Sequence, residues 1–376
     1  MLLVVTYTFN VFSQRILQVK KQETMSLKLS QICRKYSLLL GFLLFFQFVY
    51  SQYNFAELDK QIAEHAKMLG GNMVTLIYKD NKIVYEKKVG DFDKRTIIPI
   101  ASCSKWFTAA MVMTLVDEGK ISLDDKVSKY IPLFDAYRKS YITIRHCLSH
   151  QTGIQQDAPT VLNLLDRKKF VSLEEEVNSF AKKDIDFNPG TGFYYGGVGL
   201  NIAARICEIV TRKNFNQLML ERIFRPLGMR TTTFQNENFS LPPNPSGGAK
   251  SCAEEYMNFL TMILNNGVYK DKRILSEAAI KEMQTEQISI DKIKYIPKVA
   301  DGATYGLGEW IMEKDANNVG TVISSPGLFG SWPMIDKCRG YAVVFFVKTL
   351  INESKRNIYD DIKSSIDNCI PKTKCN

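Results

Sequence analysis

The sequence predicts an α/β fold, α+β in layer terms: an antiparallel sheet formed by both chain ends, flanked by helices, with a mostly helical domain inserted between them. Three observations carry this expectation. β-prone runs gather near the two ends of the chain, a helix-length segment apolar on nearly every side opens the middle, and no internal repeat or low-complexity tract divides the 376 residues. The α/β part is expected at about 52–100 and 300–376, and the helical part at about 101–299.

At the first end, residues 72–78 and 83–89 flank Lys79-Asp80-Asn81-Lys82, a turn-prone tetrad between two runs rich in Val, Ile and Tyr, which reads as a hairpin. At the other end, 305–312, 320–324 and 341–347 are similar runs, followed by a helical pattern over 352–366. Between them, 104–118 holds Trp106, Phe107, Met111, Val112, Met113, Leu115 and Val116, and a helix without a polar face is a buried helix. Gly119 supplies its stop. Further helices are expected over 144–150, 173–182, 198–211, 215–223 and 253–265. Pro189-Gly190-Thr191-Gly192 and Pro242-Pro243-Asn244-Pro245 read as loops.

The N-terminus stands apart. Lys28, Arg34 and Lys35 precede an uncharged apolar run over 36–49 that closes on Tyr50-Ser51-Gln52, the order of a secretory signal peptide cleaved after Ser51. The run is shorter than the roughly 20 residues a spanning helix needs, although an uncleaved anchor shares its composition. Met25 begins a better-formed signal than Met1, so 25–51 is expected as the signal and 1–24 as an extension that is not translated. The expected location is exported, periplasmic or secreted, with membrane contact only through an uncleaved signal. Without 1–51 the chain keeps 43 basic and 38 acidic residues, and the net charge falls from +10 to +5. That mild balance, with no cluster of Lys and Arg among aromatics, argues against a nucleic-acid partner.

Seven cysteines remain after cleavage, scattered along a chain long enough not to need staples. Cys103, Cys147, Cys207 and Cys252 lie in apolar contexts and are expected as packed thiols. A Cys369–Cys375 loop in the tail is conceivable.

The sharpest chemical feature is Ser102-Cys103-Ser104-Lys105 at the start of the buried helix. The i, i+3 spacing puts both side chains on one face. A serine hydroxyl is a weak nucleophile until a base takes its proton, and a lysine in apolar surroundings loses affinity for its own. The same spacing also fits an N-cap serine beside a solvated lysine. Here, however, the helix has no polar face to offer that lysine.

Several segments in order extend the pattern: 100–105, 119–125, Arg145-His146-Cys147-Leu148-Ser149-His150-Gln151-Thr152-Gly153, 189–195, Pro226-Leu227-Gly228-Met229, Gly247-Gly248-Ala249-Lys250-Ser251 and Gly306-Leu307-Gly308-Glu309-Trp310. In these the chain resembles the β-lactamase-like serine hydrolases, which include class C β-lactamases, D-alanyl-D-alanine carboxypeptidases, penicillin-binding proteins and related esterases. The likeness covers about 70–350 and implies a β-lactamase/transpeptidase-like fold. It also implies Ser102 as the acylated nucleophile, Lys105 as its base, and a tyrosine beside them from a Y-x-N motif. Tyr195-Gly196-Gly197 occupies that place, so Tyr195 is expected to shuttle the proton, with Tyr194 as the competing candidate. A phenol near an ammonium is expected to ionise more readily.

Two positions depart from the family pattern. Gly197 replaces its Asn, removing a hydrogen bond to substrate amide and lysine. Ser325-Pro326-Gly327 stands where a Lys or His, then Thr or Ser, then Gly, lines the site. Without that cation an anionic substrate loses its partner, and neutral acyl substrates are favoured. Ser325, Gly327 and Leu328 are expected at the substrate and oxyanion side, with the N–H groups of Ser102 and of Leu328, on this strand, as donors.

Other chemistries fit less well. Only His65, His146 and His150 are available for a Ser-His-Asp triad, and the G-x-S-x-G elbow is missing. His146 and His150 are spaced like zinc ligands, but Cys147 stands where the glutamate of H-E-x-x-H belongs, so no metal is expected; the resemblance implies a structural helix there. The reading is a cofactor-free serine hydrolase transferring the acyl group of a small-molecule or peptide substrate through Ser102, as esterase or amidase. Alternatives are a D-Ala-D-Ala carboxypeptidase or β-lactamase, and a non-hydrolysing penicillin-binding or sensor module.

Overall fold

A computed structural model describes Met25 and residues 53–156, 170–236, 241–350 and 353–375. The expected extension over 1–24, and all of the expected signal segment but Met25, lie outside these residues. The chain divides into residues 1–53 and 54–376, and the architecture below is that of the second unit.

It opens with α1 (Ala56–His65), which buries Leu58 and Ile62, and continues into the hairpin of β1 (Met73–Lys79) and β2 (Lys82–Val89). Asp80 and Asn81, at φ of 51° and 61°, form its two-residue turn, in the left-handed geometry that suits the twist of paired strands. The middle of the chain supplies the short strand β3 (Ile98–Pro99), a 3-10 turn (Ala101–Cys103), and the helices α2 (Ser104–Asp117), α3 (Ile144–Leu148) and α4 (Leu173–Lys182). The short strand β4 (Phe193–Tyr194) leads into α5 (Val198–Thr211). Then α6 (Phe215–Met219) runs on as a π turn (Leu220–Phe224), so the helix expected over 215–223 changes its winding partway. The short strand β5 (Lys250–Ser251) precedes α7 (Ala253–Leu264) and α8 (Glu277–Gln284), and β6 (Ile293–Tyr295) pairs in parallel with β4.

The end of the chain returns to strands: β7 (Thr304–Tyr305), β8 (Trp310–Lys314), β9 (Gly320–Ser324), β10 (Trp332–Asp336) and β11 (Tyr341–Val347), followed by α9 (Glu353–Cys369). The main sheet runs β2-β1-β11-β10-β9-β8-β7, antiparallel throughout, so strands from the two ends meet at β1 and β11. Val74 lies opposite Phe346 and Leu76 opposite Val344; this face joins the main core with Tyr256 of α7. On the other face Phe345 meets Tyr359 of α9 at 5.8 Å. With both faces covered, β11 reads as the continuous apolar run Tyr-Ala-Val-Val-Phe-Phe-Val rather than alternating.

At the centre, every residue over 104–115 of α2 is buried. Phe107 meets Phe259 and Phe224 edge-on at 4.7 and 5.5 Å. Such a ring, fully removed from water, contributes about 1.5–3 kcal/mol. Among the described residues, no helix is long and apolar enough to cross a membrane.

Three expectations are corrected. The run over 305–312 is two strands, because the chain breaks at Gly308 (φ +79°), where a Cβ would overlap Ala109 of α2. The helix expected over 144–150 stops at Leu148, leaving His150 outside it at φ +58°. The Cys369–Cys375 loop is not formed: Cys375 is bonded to Cys338, while Cys369 is a free thiol donating to the Asn54 carbonyl at 2.8 Å. The N–H groups of Thr373 and Lys374 both donate to the Cys338 carbonyl, and this lays the tail along the turn between β10 and β11. Cys103, Cys147, Cys207 and Cys252 are buried free thiols.

Candidate active site

Ser102 lies in the 3-10 turn rather than opening the α-helix, which begins two residues later at Ser104. The turn starts at Ala101 in a left-handed conformation (φ +44°), disfavoured for a residue with a Cβ and maintained only where surroundings fix it. They do so from three sides. Ile100 donates to the Ala249 carbonyl and Ala249 donates to Ser104 Oγ, both at 3.0 Å, extending the β3–β5 pairing. Tyr256 Oη donates to the Cys103 carbonyl at 3.0 Å, and Ser325 Oγ to the Ser102 carbonyl at 3.3 Å. The half-buried Ser102 side chain is thus presented by a fixed backbone.

Lys105 is 2% exposed, and its Nζ lies 2.9 Å from Ser102 Oγ and 2.7 Å from the Ser246 carbonyl. Burial pushes its pKa down from 10.5 to about 7, with the Cys103 thiol acting weakly the other way. The Ser246 carbonyl can only accept, so it always takes a Lys105 N–H. In the ammonium form a second N–H donates to Ser102 Oγ. In the neutral amine the lone pair is the group left to receive the Ser102 proton.

The Tyr195 ring centroid lies 4.7 Å from Lys105 Nζ, and the residue is 4% exposed. Trp310 covers one side at 4.8 Å and His150 packs at 4.7 Å. Burial raises the phenol pKa, with the neighbouring Ser102 hydroxyl opposing it, so the expected readiness to ionise is corrected. A lysine whose own pKa has fallen offers little positive charge to offset the desolvation. Tyr194 turns elsewhere, stacking on Tyr295 at 4.7 Å and 26°.

The two family departures have structural counterparts. A Cβ on Gly197 would lie 2.8 Å from Ser246 Oγ, so Ser246 fills the space an asparagine side chain would need. Ser246 is held in turn: its N–H donates to Asn201 Oδ1 at 3.1 Å and its Oγ to Asn244 Oδ1 at 2.8 Å. On the opposite side, strand β9 ends at Ser324, so Ser325, Gly327 and Leu328 belong to the connection to β10 and not to a strand, which corrects the expected placement. The Gly327 N–H is engaged by the Ser331 carbonyl at 2.8 Å and so is not offered to a substrate oxygen. Gly327 instead permits close packing, since a Cβ there would overlap the Ile100 carbonyl beneath the Ser102 turn. Leu328 is half-buried.

The histidines part ways. His146 caps α3, its N–H donating to Thr143 Oγ1 at 3.2 Å while its Nδ1 accepts from the Thr143 N–H at 3.3 Å. His150 lies against Tyr195, so the two imidazoles share no helix face.

Sequence reasoning did not single out Ser246, nor Glu309, which is wholly buried and whose carboxyl is pushed up to about 8 by burial, with Lys337 pulling it down more weakly. Ser246 stands one place before the quoted Gly247-Gly248 pair. Glu309 is a charged residue inside an otherwise apolar motif, and that mismatch was its signal.

The chain matches the Beta-lactamase family profile over residues 58–364. It belongs to the β-lactamase family. A β-lactamase-like protein from Bacteroides dorei shares 30% identity with it at a TM-score of 0.73, over 83% of this chain and 98% of that one. The hydrolase EstCE1, described as having promiscuous acyltransferase activity, has the same fold at 20% identity and a TM-score of 0.68, covering 82% of this chain and 98% of that one. A D-aminopeptidase from Brucella anthropi is 33% identical over 46% of this chain and 34% of its own length. Protein flp of Staphylococcus aureus is 28% identical over 44% and 35% respectively. The matched region is thus about a third of the length of these two curated relatives. Hydrolases of several specificities populate this family neighbourhood, and hydrolytic acyl transfer fits the fold.

Proposed function

We propose that this β-lactamase family member is a serine hydrolase that forms an acyl-enzyme on Ser102. The carrying observation is the buried Lys105 amine 2.9 Å from Ser102 Oγ, with a pKa near 7 that leaves much of it unprotonated at neutral pH. Neutral Lys105 takes the hydroxyl proton as Ser102 Oγ attacks the carbonyl carbon. Tyr195, beside both groups, relays that proton to the leaving oxygen or nitrogen as the tetrahedral intermediate collapses. Backbone N–H groups of Ser102 and Leu328 hold the oxyanion, and Ser325 and Gly327 shape that wall. Water, deprotonated by the same pair, then releases the acyl group. No step calls for a cofactor.

A neutral acyl ester or amide is the favoured substrate, because Ser325 stands where a cation would bind a carboxylate. The D-aminopeptidase relative and the hydrolase EstCE1 support that range. The N-terminal order of charges and apolar residues supports an exported protein, and sequencing the N-terminus of secreted material tests it, with a start at Gln52 expected. For the chemistry, a fluorophosphonate should label wild type covalently at Ser102 and leave Ser102→Ala unlabelled. Equal labelling of that variant refutes the assignment. Turnover of a p-nitrophenyl ester above that of a D-Ala-D-Ala peptide or a chromogenic cephalosporin supports the neutral-substrate reading, and the reverse order refutes it.

A further inference from the structure

We infer that His150 is a positioning residue that sets Tyr195 against Lys105 and Ser102, by holding the backbone on both sides of that tyrosine. The inference rests on the acyl-transfer reading above. Its geometry is local and specific. The His150 carbonyl accepts the N–H of Tyr194 at 3.0 Å, and its Nδ1 accepts the N–H of Gly196 at 3.4 Å. One residue therefore holds the backbone N–H groups of both neighbours of Tyr195, while its ring packs on the Tyr195 ring at 4.7 Å and 56°. The third anchor is Nε2, 3.2 Å from Tyr305 Oη.

These contacts fix the tautomer. A backbone N–H can only donate, so Nδ1 must present its lone pair to Gly196, which puts the ring proton on Nε2, donating to Tyr305. A second ring proton would point at the Gly196 N–H and break the grip. It would also place a cation in a site that is 2% exposed and already holds Lys105. The neutral imidazole is the form the site accepts.

The backbone supplies an independent argument. His150 follows the end of α3 at φ +58°, a left-handed conformation that Gly, Asn, Asp and His adopt more readily than other residues. Glycine would relieve the backbone but supply neither ring contact nor Nδ1 acceptor. The same left-handed turn aims both the His150 carbonyl and its imidazole at β4 and the residues that follow it. Among the residues this backbone tolerates, histidine is the one that supplies both an aromatic ring against Tyr195 and a ring-nitrogen acceptor for Gly196.

The test is a double-mutant cycle read by the rate of Ser102 labelling with a small neutral fluorophosphonate and by kcat and KM on a p-nitrophenyl ester. His150→Phe keeps an aromatic ring but loses both nitrogens, whereas His150→Asn tolerates the left-handed backbone and keeps an acceptor near the Nδ1 position. His150→Phe should lower kcat roughly 10- to 100-fold, the cost of a misplaced catalytic group, with KM changed by less than about threefold. His150→Asn should recover most of that loss. In a Tyr195→Phe background the His150→Phe change should cost almost nothing further, because the group it positions is gone. Thermal melts report folding separately, and if His150→Phe does not fold, His150→Ala, which removes both ring and acceptor, takes its place in both backgrounds with the same outcomes expected. Equal, additive losses with and without the Tyr195 hydroxyl, or an unchanged kcat in folded His150→Phe, overturn the inference while leaving the Ser102 assignment intact. An unlabelled wild type refutes the acyl-transfer reading itself, and the inference with it.

Discussion

Raising the pH from 5 to 9 should switch Ser102 on through a single ionisation near 7, and the size of the effect follows from Lys105. In water an amine of pKa 10.5 is neutral in only about one molecule in 3,000 at pH 7. With the pKa lowered to about 7 by burial, roughly half of the Lys105 side chains are neutral there, a gain of about three orders of magnitude in competent base. The drop corresponds to roughly 5 kcal/mol of penalty on the buried ammonium, borne by the fold. Below pH 7 the base is progressively protonated, so the second-order rate of phosphonylation should fall about tenfold per pH unit and be roughly 100-fold lower at pH 5 than at pH 9. The assay is labelling by an uncharged fluorophosphonate across that range, with the site confirmed by peptide mass. Lys105→Met should lose the dependence along with most of the rate. His150 does not interfere, since burial and the Lys105 charge hold its pKa well below the ordinary 6.5. A rate flat between pH 5 and 9, or one still climbing towards an inflection near 10.5, refutes the buried-base mechanism.

Further outcomes follow from the same geometry. Tyr195→Phe should reduce kcat by about 100-fold or more with little change in KM, as expected for loss of a proton relay; a drop confined to KM would reassign the phenol to binding. Glu309 is held protonated by burial, with a folded pKa of about 8 against an ordinary 4.5. Its contribution to stability is therefore fully present below pH 4.5 and is lost as pH rises through 8, and Glu309→Gln should melt higher than wild type at pH 9 but not at pH 5, by at most roughly 5 kcal/mol. Parallel pH–stability curves for the two proteins would contradict this. Cys338→Ser and Cys375→Ser should each lose up to about 4 kcal/mol by loop entropy, since 37 positions separate the bonded pair, whereas Cys369→Ser should lose little. Equal destabilisation by all three would refute the pairing. Gly327→Ala should slow labelling of Ser102 by displacing the Ile100 carbonyl and should also lower the melt, since overpacking of this kind costs about 1–3 kcal/mol; unchanged labelling would contradict the packing.

Much of this architecture was legible because local pattern and tertiary role coincide. Tyr341–Val347 is apolar at nearly every position because helices cover both faces of the strand, and α5 ends where its pattern ends, at Arg212 in a left-handed cap. Strand β10 escaped because Pro333 argues against a central strand, and here the rest of the sheet overrides that preference. Gly308 broke a strand that composition made continuous, for a reason lying in another element, the close approach of α2. The site shows the same division. Ser102 and Lys105 share a helical turn and can be read together, but the carbonyl that holds Lys105 belongs to Ser246, 141 positions away. The disulfide was hidden likewise, since only the turn between β10 and β11 brings Cys338 to the tail.

The seam between β1 and β11 has a consequence for how this protein comes into being. Lys79 must wait for Tyr341, 262 positions later, before the two halves of the sheet can join. A chain emerging in order from the ribosome can complete its helical interior while β1 and β2 still lack their neighbour, so cooperative closure waits until β11 has been synthesised. Loss of β11 alone would leave the sheet split, with the edge of β1 open to other chains and prone to aggregate.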